Sequence, residues 1–208
     1  MTDRTDWIPL FPLNTVLFPD GILPLKIFET RYMDMVRDCM KRDIPFGIVL
    51  IRSGEEVGQA ADPEDVGCFA HIVNWDAPQL GLLMLRTKGG QRFRIIETRV
   101  CSDQHLEARV EYIAPDLPSA VTEQHASAAR ALQLIVQDIT ARGKEELGDA
   151  FESPFPDMSR FDDAGWVANR WSEVLPIPMK ARQHLLALSD PLKRLSIVQQ
   201  YLEQQNIL

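Results

Sequence analysis

A chain of 208 residues with a formal net charge of -8 has room for one or two domains, and its excess of carboxylates works against nonspecific attraction to the phosphates of nucleic acid. Apolar residues at 45% and charged residues at 25% exclude the disordered and fibrous classes and leave an ordinary globular composition with a sizeable core. Cys39, Cys68 and Cys101 are odd in number, far apart and never in a C-x-x-C pair, which argues against a disulfide framework or a cysteine-based zinc site and in favour of reduced packing residues.

The first residues, MTDRTDW, are polar and lack the apolar stretch of a secretory signal. No later window offers the about 18 uncharged apolar residues of a membrane span, so a cytoplasmic location without membrane attachment is expected. From Ile8 to Glu29 the chain reads IPLFPLNTVLFPDGILPLKIFE, with Pro9, Pro12, Pro19 and Pro24 inside an apolar run. Proline removes a ladder donor and is tolerated at strand starts, edges and bulges. The run is therefore read as two short strands, Trp7 to Leu13 and Ile22 to Ile27, with Asn14-Thr15 and Pro19-Asp20-Gly21 as turn material. Short strands and sharp corners predict a small, strongly bent sheet or barrel.

Phe28, Tyr32, Met35, Val36, Cys39 and Met40 then recur at helical spacing, with Arg31, Asp34, Arg37, Asp38 and Lys41 elsewhere, which predicts an amphipathic helix. Its stripe fits either packing on the sheet or a partner groove. Pro45 to Ile51 (PFGIVLI) is a continuous apolar strand. Arg52 to Asp65 is a polar loop, and Gly67 to Trp75 resumes as strand. Leu82 to Val100 (LLMLRTKGGQRFRIIETRV) reads as a hairpin turning at Gly89-Gly90. An odd loop there puts Leu83, Leu85, Phe93 and Ile95 on one face and Arg86, Lys88, Arg92 and Arg94 on the other, because a one-residue slip inverts every side chain. That cationic face is either a solvated outer surface or a site for an anion, RNA or an acidic partner. Leu106 to Ile113 alternates as a last strand, with Leu106, Ala108, Val110 and Tyr112 on one side.

Ala114 to Ala120 (APDLPSA) marks a boundary, giving residues 1–116 as a β subdomain and 117–208 as an α-helical subdomain. Ala128, Leu132, Ile135, Val136 and Ile139 define a helix with Ser119 as candidate cap and Gly143 as candidate stop. Lys144 to Ala164 lacks a period and is expected to be irregular. Asp162 or Asp163 can cap a helix carrying Trp166, Val167, Trp171, Val174 and Leu175. Pro176-Ile177-Pro178 ends it and starts a second with Leu185, Leu186 and Leu188, and Asp190-Pro191 starts a terminal helix along Leu192, Leu195, Val198, Tyr201 and Leu202. Strands first and helices afterwards predict an α+β layout.

The chain carries no G-x-x-x-x-G-K-[ST] loop, G-x-S-x-G elbow, H-E-x-x-H helix or G-x-G-x-x-G fingerprint. His71, His105, His125 and His184 are not at ligand spacing, so no metal site is expected. The segments PLFPLNTVLFPDGILPLKIFETRYMDMV, PFGIVLI, VGCFAHIV, KGGQRFRI and KARQHLLALSDPLKRLSIVQQYL, in this order and over nearly the whole chain, resemble the N-terminal domain of Lon proteases. The resemblance implies a PUA-like β pseudo-barrel with one inserted helix, followed by a C-terminal helical bundle. In full Lon proteases this domain precedes ATPase and serine-lysine protease modules and helps recognise substrate polypeptides. Neither module's motifs occur here, so the chain resembles a stand-alone member, not an enzyme, with no catalytic residue or cofactor to transfer.

The expected function is recognition of unfolded or partner polypeptides beside a protease or chaperone system. The expected surface is a groove between barrel and bundle, lined by Phe11, Phe18 and Ile22 and by Phe151, Phe155 and Phe161 of the irregular connection. The alternative, which follows from the relation of PUA-like barrels to RNA-binding modules, is an anion or RNA patch at Arg86, Lys88, Arg92 and Arg94.

Overall fold

The structure, a computed structural model, describes residues 7 to 156 and 159 to 208. Met1 to Asp6, the polar start, and Asp157 and Met158, inside the expected irregular connection, lie outside the described residues. The backbone divides into two units, Met1–Pro115 and Asp116–Leu208.

The first unit holds strands β1 (Ile8–Leu13), β2 (Ile22–Ile27), β3 (Phe46–Ser53), β4 (Asp62–Gln79), β5 (Leu82–Val100) and β6 (Leu106–Tyr112), with helix α1 (Thr30–Arg42) between β2 and β3. The sheet order is β2-β5-β4-β3-β1-β6, and β6 also pairs with β5. That extra pairing closes the sheet into a barrel-like ring. Closure requires bending, and the prolines sit where it is tolerated. β1 pairs with β6 over Ile8 to Leu10 and with β3 over Leu10 to Leu13, so Pro9 and Pro12 each lie where only one neighbour is paired. Pro24 lies on the edge strand β2. Between β1 and β2, Gly21 donates to the Phe18 carbonyl at 2.9 Å and Asp20 takes φ 63, so aspartate fills the left-handed position of the turn and Gly21 follows it.

Side chains alternate across each strand, and here both faces are covered. Phe11, Leu13, Leu25, Ile27, Ile48, Cys68, Ala70, Leu83 and Leu85 join Tyr32, Met35, Val36 and Cys39 of α1 in one core, while Leu10, Val49, Phe69, Phe93, Leu106 and Ala108 form a second. Neighbouring residues such as Leu10 and Phe11, or Ile48 and Val49, thus point into different cores. This is why β3 reads as an unbroken apolar run. Two assignments on α1 are corrected. Phe28 precedes the helix and is 58% exposed. Arg31, expected on the polar face, is buried: it pairs with Glu29 at 3.1 Å, donates to the Gln104 carbonyl at 2.8 Å and lies over the Tyr32 ring.

The largest difference concerns β5. It is one strand of 19 residues, and Gly89-Gly90 is not a turn. A Cβ on Gly89 would stand 2.0 Å from the Phe18 carbonyl oxygen, so glycine is there because another backbone approaches, not because the chain reverses. The β4 register shifts by one residue at the same place, and the two halves of β5 face different cores, Leu83 and Leu85 the first, Phe93 and Ile95 the second. The true reversal is Leu80-Gly81, joining β4 to β5. The expected polar loop is shorter as well, because β4 begins at Asp62.

The second unit contains α2 (Ala126–Leu147), α3 (Ala164–Val174), α4 (Met179–Ala187) and α5 (Pro191–Gln204), with short 3-10 turns at Glu123–His125 and Gly148–Ala150. With α1, the described residues form a mixed six-stranded sheet and five α-helices, an α+β fold. Gly143 does not stop α2; it lies inside the helix where a Cβ would run into the Phe151 ring, and Gly148 at φ 56 ends it. Ser119 does not cap α2 either; its hydroxyl donates to the Leu117 carbonyl. Asp163 caps α3 through the Trp166 amide at 2.7 Å, and Asp190 caps α5 with Pro191 in the first turn.

α3 is buried almost all round, from Ala164 to Ser172. Arg194 of α5 is 1% exposed. It donates to the carboxylate of Asp116 at 2.6 Å, to Asn169 Oδ1 of α3 at 3.0 Å and to the carbonyls of Leu185 and Leu188.

Candidate functional site

Met33, Arg37 and Met40 follow one another at helical spacing on α1, beside the buried stripe. Facing them is the outer part of the β4–β5 hairpin. Between Ile72 and Asn74 β4 carries an extra residue relative to β5, after which Trp75 stands opposite Leu85. Directly opposed residues share a face, and Leu85 belongs to the core beneath α1, so the bulge aims Trp75 toward the helix side. At the tip, Gly81 takes φ 79 with nothing within 4 Å of where its Cβ would be, a backbone state that glycine reaches without strain. Its neighbour Leu80 is fully exposed.

These elements enclose a depression of about 480 Å³ lined by Met33, Arg37, Met40, Trp75, Leu80 and Leu83 among others. A second, of about 310 Å³, shares Met40 and Trp75 and adds Asp43, Ile44, Pro45 and His71. Together they make a shallow groove with the indole in its middle. Trp75 is half-exposed and Leu80 fully exposed, so the first depression presents wet apolar side chains. Thioethers are flexible and polarizable and adapt to varied apolar side chains. Arg37 pairs with Asp34 at 3.3 Å on the exposed helix surface, a contact of small energetic weight. Cys39 borders the second depression, yet burial pushes its thiol up to about 11, so at neutral pH it is protonated and unreactive. The first depression, with Met33, Met40, Trp75, Leu80 and Leu83, is built for contact with apolar groups, while the second, with Asp43 and His71, is the more polar of the two.

The residues expected at a binding surface fare differently. Phe11 is buried against Tyr32, with ring centroids 4.2 Å apart, and Phe18 is fully buried; both are core side chains of the first unit, a correction that follows from the closure of the sheet around them. Ile22 is half-buried at the start of β2. Phe155 is buried at 5% exposure, while Phe161 meets Trp166 edge-on at 5.1 Å and Phe151 packs over Gly143, so the last two rings have partners within the helical unit. The expected cationic face does not assemble. Arg92 is 3% exposed, Lys88 pairs with Asp20 at 3.2 Å, Arg86 is half-buried, and exposed Arg94 stands opposite Glu111 of β6. Burial of Arg92 follows from the shift of register at Gly89-Gly90, which a hairpin reading cannot contain. His125 is buried between Thr122 and Ser196 hydroxyls, while His71 and His184 are exposed.

Residues 7–204 match the family described as the ATP-dependent protease La (LON) substrate-binding domain. The chain belongs to this Lon substrate-binding domain family. Among its relatives, Lon protease 2 of Myxococcus xanthus is 26% identical over 206 residues, covering 95% of this chain and 24% of the relative. The Lon protease of Paraburkholderia phytofirmans is 30% identical over 209 residues, covering 95% of this chain and 25% of the relative. The chain thus spans about a quarter of the length of these curated relatives. The crystal structure of a Lon N-terminal domain protein from Xanthomonas campestris superposes with a TM-score of 0.74 at 29% identity, over 94% of this chain and 98% of that one. Substrate binding is accordingly the role consistent with the family, and among the described residues no helix is long and apolar enough to cross a membrane.

The groove at Trp75 and Leu80 was not found by sequence reasoning, which ended β4 at Trp75. A signal existed: Gly81 between Leu80 and Leu82 is a turn residue flanked by apolar strand. The double glycine further on was the louder one.

Proposed function

We propose that the groove between α1 and the β4–β5 hairpin binds substrate polypeptides by receiving exposed aliphatic or aromatic side chains, as a recognition element of a Lon-type proteolytic system, and that the chain itself breaks no bond. The observation that carries this reading is the half-exposed Trp75 set between Met33, Met40 and fully exposed Leu80, in a chain whose family is described by substrate binding. Apolar contact at roughly 25 cal/mol per Å² favours any segment that exposes such side chains and gives little discrimination among them. Unfolded chains meet that criterion and well-folded ones do not. Burial keeps Cys39, the thiol that borders the second depression near His71, protonated at neutral pH, which supports binding over catalysis, and the acidic net charge together with the buried Arg92 weighs against an RNA surface on β5.

The test is fluorescence anisotropy with a permanently unfolded labelled protein, such as a reduced and carboxymethylated small globular protein, and its native form as control. Saturable binding of the unfolded form alone, with quenching or shift of indole emission, is expected. Equal affinity for both forms, or no binding at high micromolar protein, overturns the proposal.

A further inference from the structure

The turn that joins β5 to β6 gathers four side chains of a kind that bind transition metals, although no metal site was expected from the spacing of the histidines. Cys101, Asp103, His105 and Glu107 occur at alternate positions. One ligand atom from each of Cys101, Asp103 and His105 lies within 4.8 Å of the other two. The imidazole bridges the two carboxylates: its Nδ1 is 2.6 Å from Asp103 Oδ1 and its Nε2 is 3.7 Å from Glu107 Oε1. Arg99 holds the other oxygen of Glu107, with Nε donating to Oε2 at 2.7 Å, so Oε1 is the atom left on the imidazole side.

The backbone beneath is fixed. The Cys101 amide donates to the His105 carbonyl and the Gln104 amide to the Cys101 carbonyl, each at 2.9 Å, and Gln104 takes the left-handed φ of 70 that this closure needs. Buried Arg31 of α1 donates to the Gln104 carbonyl at 2.8 Å. Side chains on such a turn approach one another without any rearrangement of the main chain.

We propose that Cys101, Asp103 and His105 form a site for one divalent ion of the zinc class, with water completing the four-coordinate shell. A tetrahedral zinc with bonds of about 2.0 to 2.3 Å sets its ligand atoms roughly 3.3 to 3.8 Å apart. From separations below 4.8 Å, rotamer adjustment of about 1 Å closes the set. One sulfur, one imidazole nitrogen and one carboxylate oxygen favour zinc or cobalt over magnesium and calcium, which take all-oxygen shells. Binding replaces the thiol proton of Cys101, which goes to solvent, by a metal–sulfur bond, and the imidazole binds in its neutral form. Bound there, the ion clamps the end of the barrel where β5 and β6 close it, and Arg31 passes the constraint to α1. The combination escaped sequence reasoning because cysteines and histidines were weighed as separate sets, and C-x-D-x-H-x-E alternates as a strand does.

The full chain, reduced and stripped with chelator, is titrated with Co²⁺ and then Zn²⁺. The expected result is a thiolate-to-cobalt charge-transfer band with tetrahedral visible absorption, saturating at about one equivalent and displaced by zinc, as a mixed Cys/His/carboxylate site requires. Cys101→Ser loses the charge-transfer band, and His105→Ala weakens cobalt binding by roughly tenfold or more, while His71→Gln leaves both unchanged. Zinc raises the melting temperature of the unmodified chain and not that of His105→Ala; far-UV circular dichroism of each variant separates lost binding from lost folding. No charge-transfer band at millimolar cobalt, or a band that survives Cys101→Ser, overturns the proposal.

Discussion

The two units of this chain solve the problem of a core in opposite ways. In the first, a sheet of bent strands separates two apolar clusters and the ladders satisfy its backbone, with Arg31, Thr87 and Arg92 buried beside them. In the second, an almost fully buried helix lies beside a guanidinium, Arg194, whose donors reach Asp116, Asn169 and two helix-end carbonyls. Apolar cores degrade gradually when atoms are removed. A buried charge held by several partners fails abruptly when one side is removed, because the remaining groups cannot be rehydrated.

The sharpest way to break the comparison is Arg194→Ala. It removes the guanidinium from the Asp116 carboxylate, from Asn169 and from the carbonyls of Leu185 and Leu188, and a loss of about 3–5 kcal/mol is expected. Equilibrium urea unfolding followed by tryptophan fluorescence reads it, since Trp166 and Trp171 lie in the same unit. A loss below about 1 kcal/mol, the size of an exposed pair, would show that the guanidinium does not hold the helices together.

The next largest effect belongs to the sheet. In Gly89→Ala the new methyl meets the Phe18 carbonyl oxygen at 2.0 Å, a backbone atom that cannot swing aside. Overpacking at such a site costs about 1–3 kcal/mol, whereas Gly58→Ala, with open space around it but φ 96, costs only backbone strain of about 1 kcal/mol. Thermal melts of the two variants compare a packing restraint with a conformational one. Equal losses would mean that the approach of the β1–β2 connection to β5 can relax.

What was legible in the sequence follows from this contrast. Strand and helix periods in β1, β2, α1 and β3 report burial directly, and the caps Asp163 and Asp190 report themselves, because each encodes a local requirement. Gly89-Gly90 misled because the requirement is distant: Gly89 makes room for the Phe18 backbone and Gly90 for the His71 side chain, both far away in sequence. Arg194 was equally opaque, since an arginine one position from a buried leucine looks solvated until its partners are placed. Asp76 to Gln79 fell outside the expected strand because Pro78 and the polar residues beside it interrupt the period, and only pairing with β5 shows them to be strand.

A smaller effect separates the apolar cluster under α1 from its surroundings by pH. Burial pushes the Cys39 thiol from 9.0 up to about 11. Between those values the folded chain keeps a proton that the unfolded chain has released, so stability declines as pH rises through that window and this contribution is whole below it. Cys39→Ala should flatten the alkaline slope of stability relative to the unmodified chain when unfolding midpoints are compared from pH 8 upward. Identical slopes would place the thiol in contact with water.

The groove calls for the opposite signature, a large effect on binding with almost none on folding. Trp75 and Leu80 contribute little to either core because most of Leu80 and half of Trp75 already face water; substitution of such residues usually shifts stability by less than about 0.5 kcal/mol. If the indole anchors bound polypeptides, its truncation in Trp75→Ser removes a contact of the size carried by central aromatic residues in other interfaces, about 2 kcal/mol or roughly thirtyfold in affinity. Leu80→Ser at the rim should weaken binding less. The order matters more than either value, because burial in the occupied groove rises from the hairpin tip toward Met40 and Trp75. A stronger effect at Leu80 than at Trp75, or weakened folding in either variant, would mean that polypeptides meet the hairpin tip and not the groove floor.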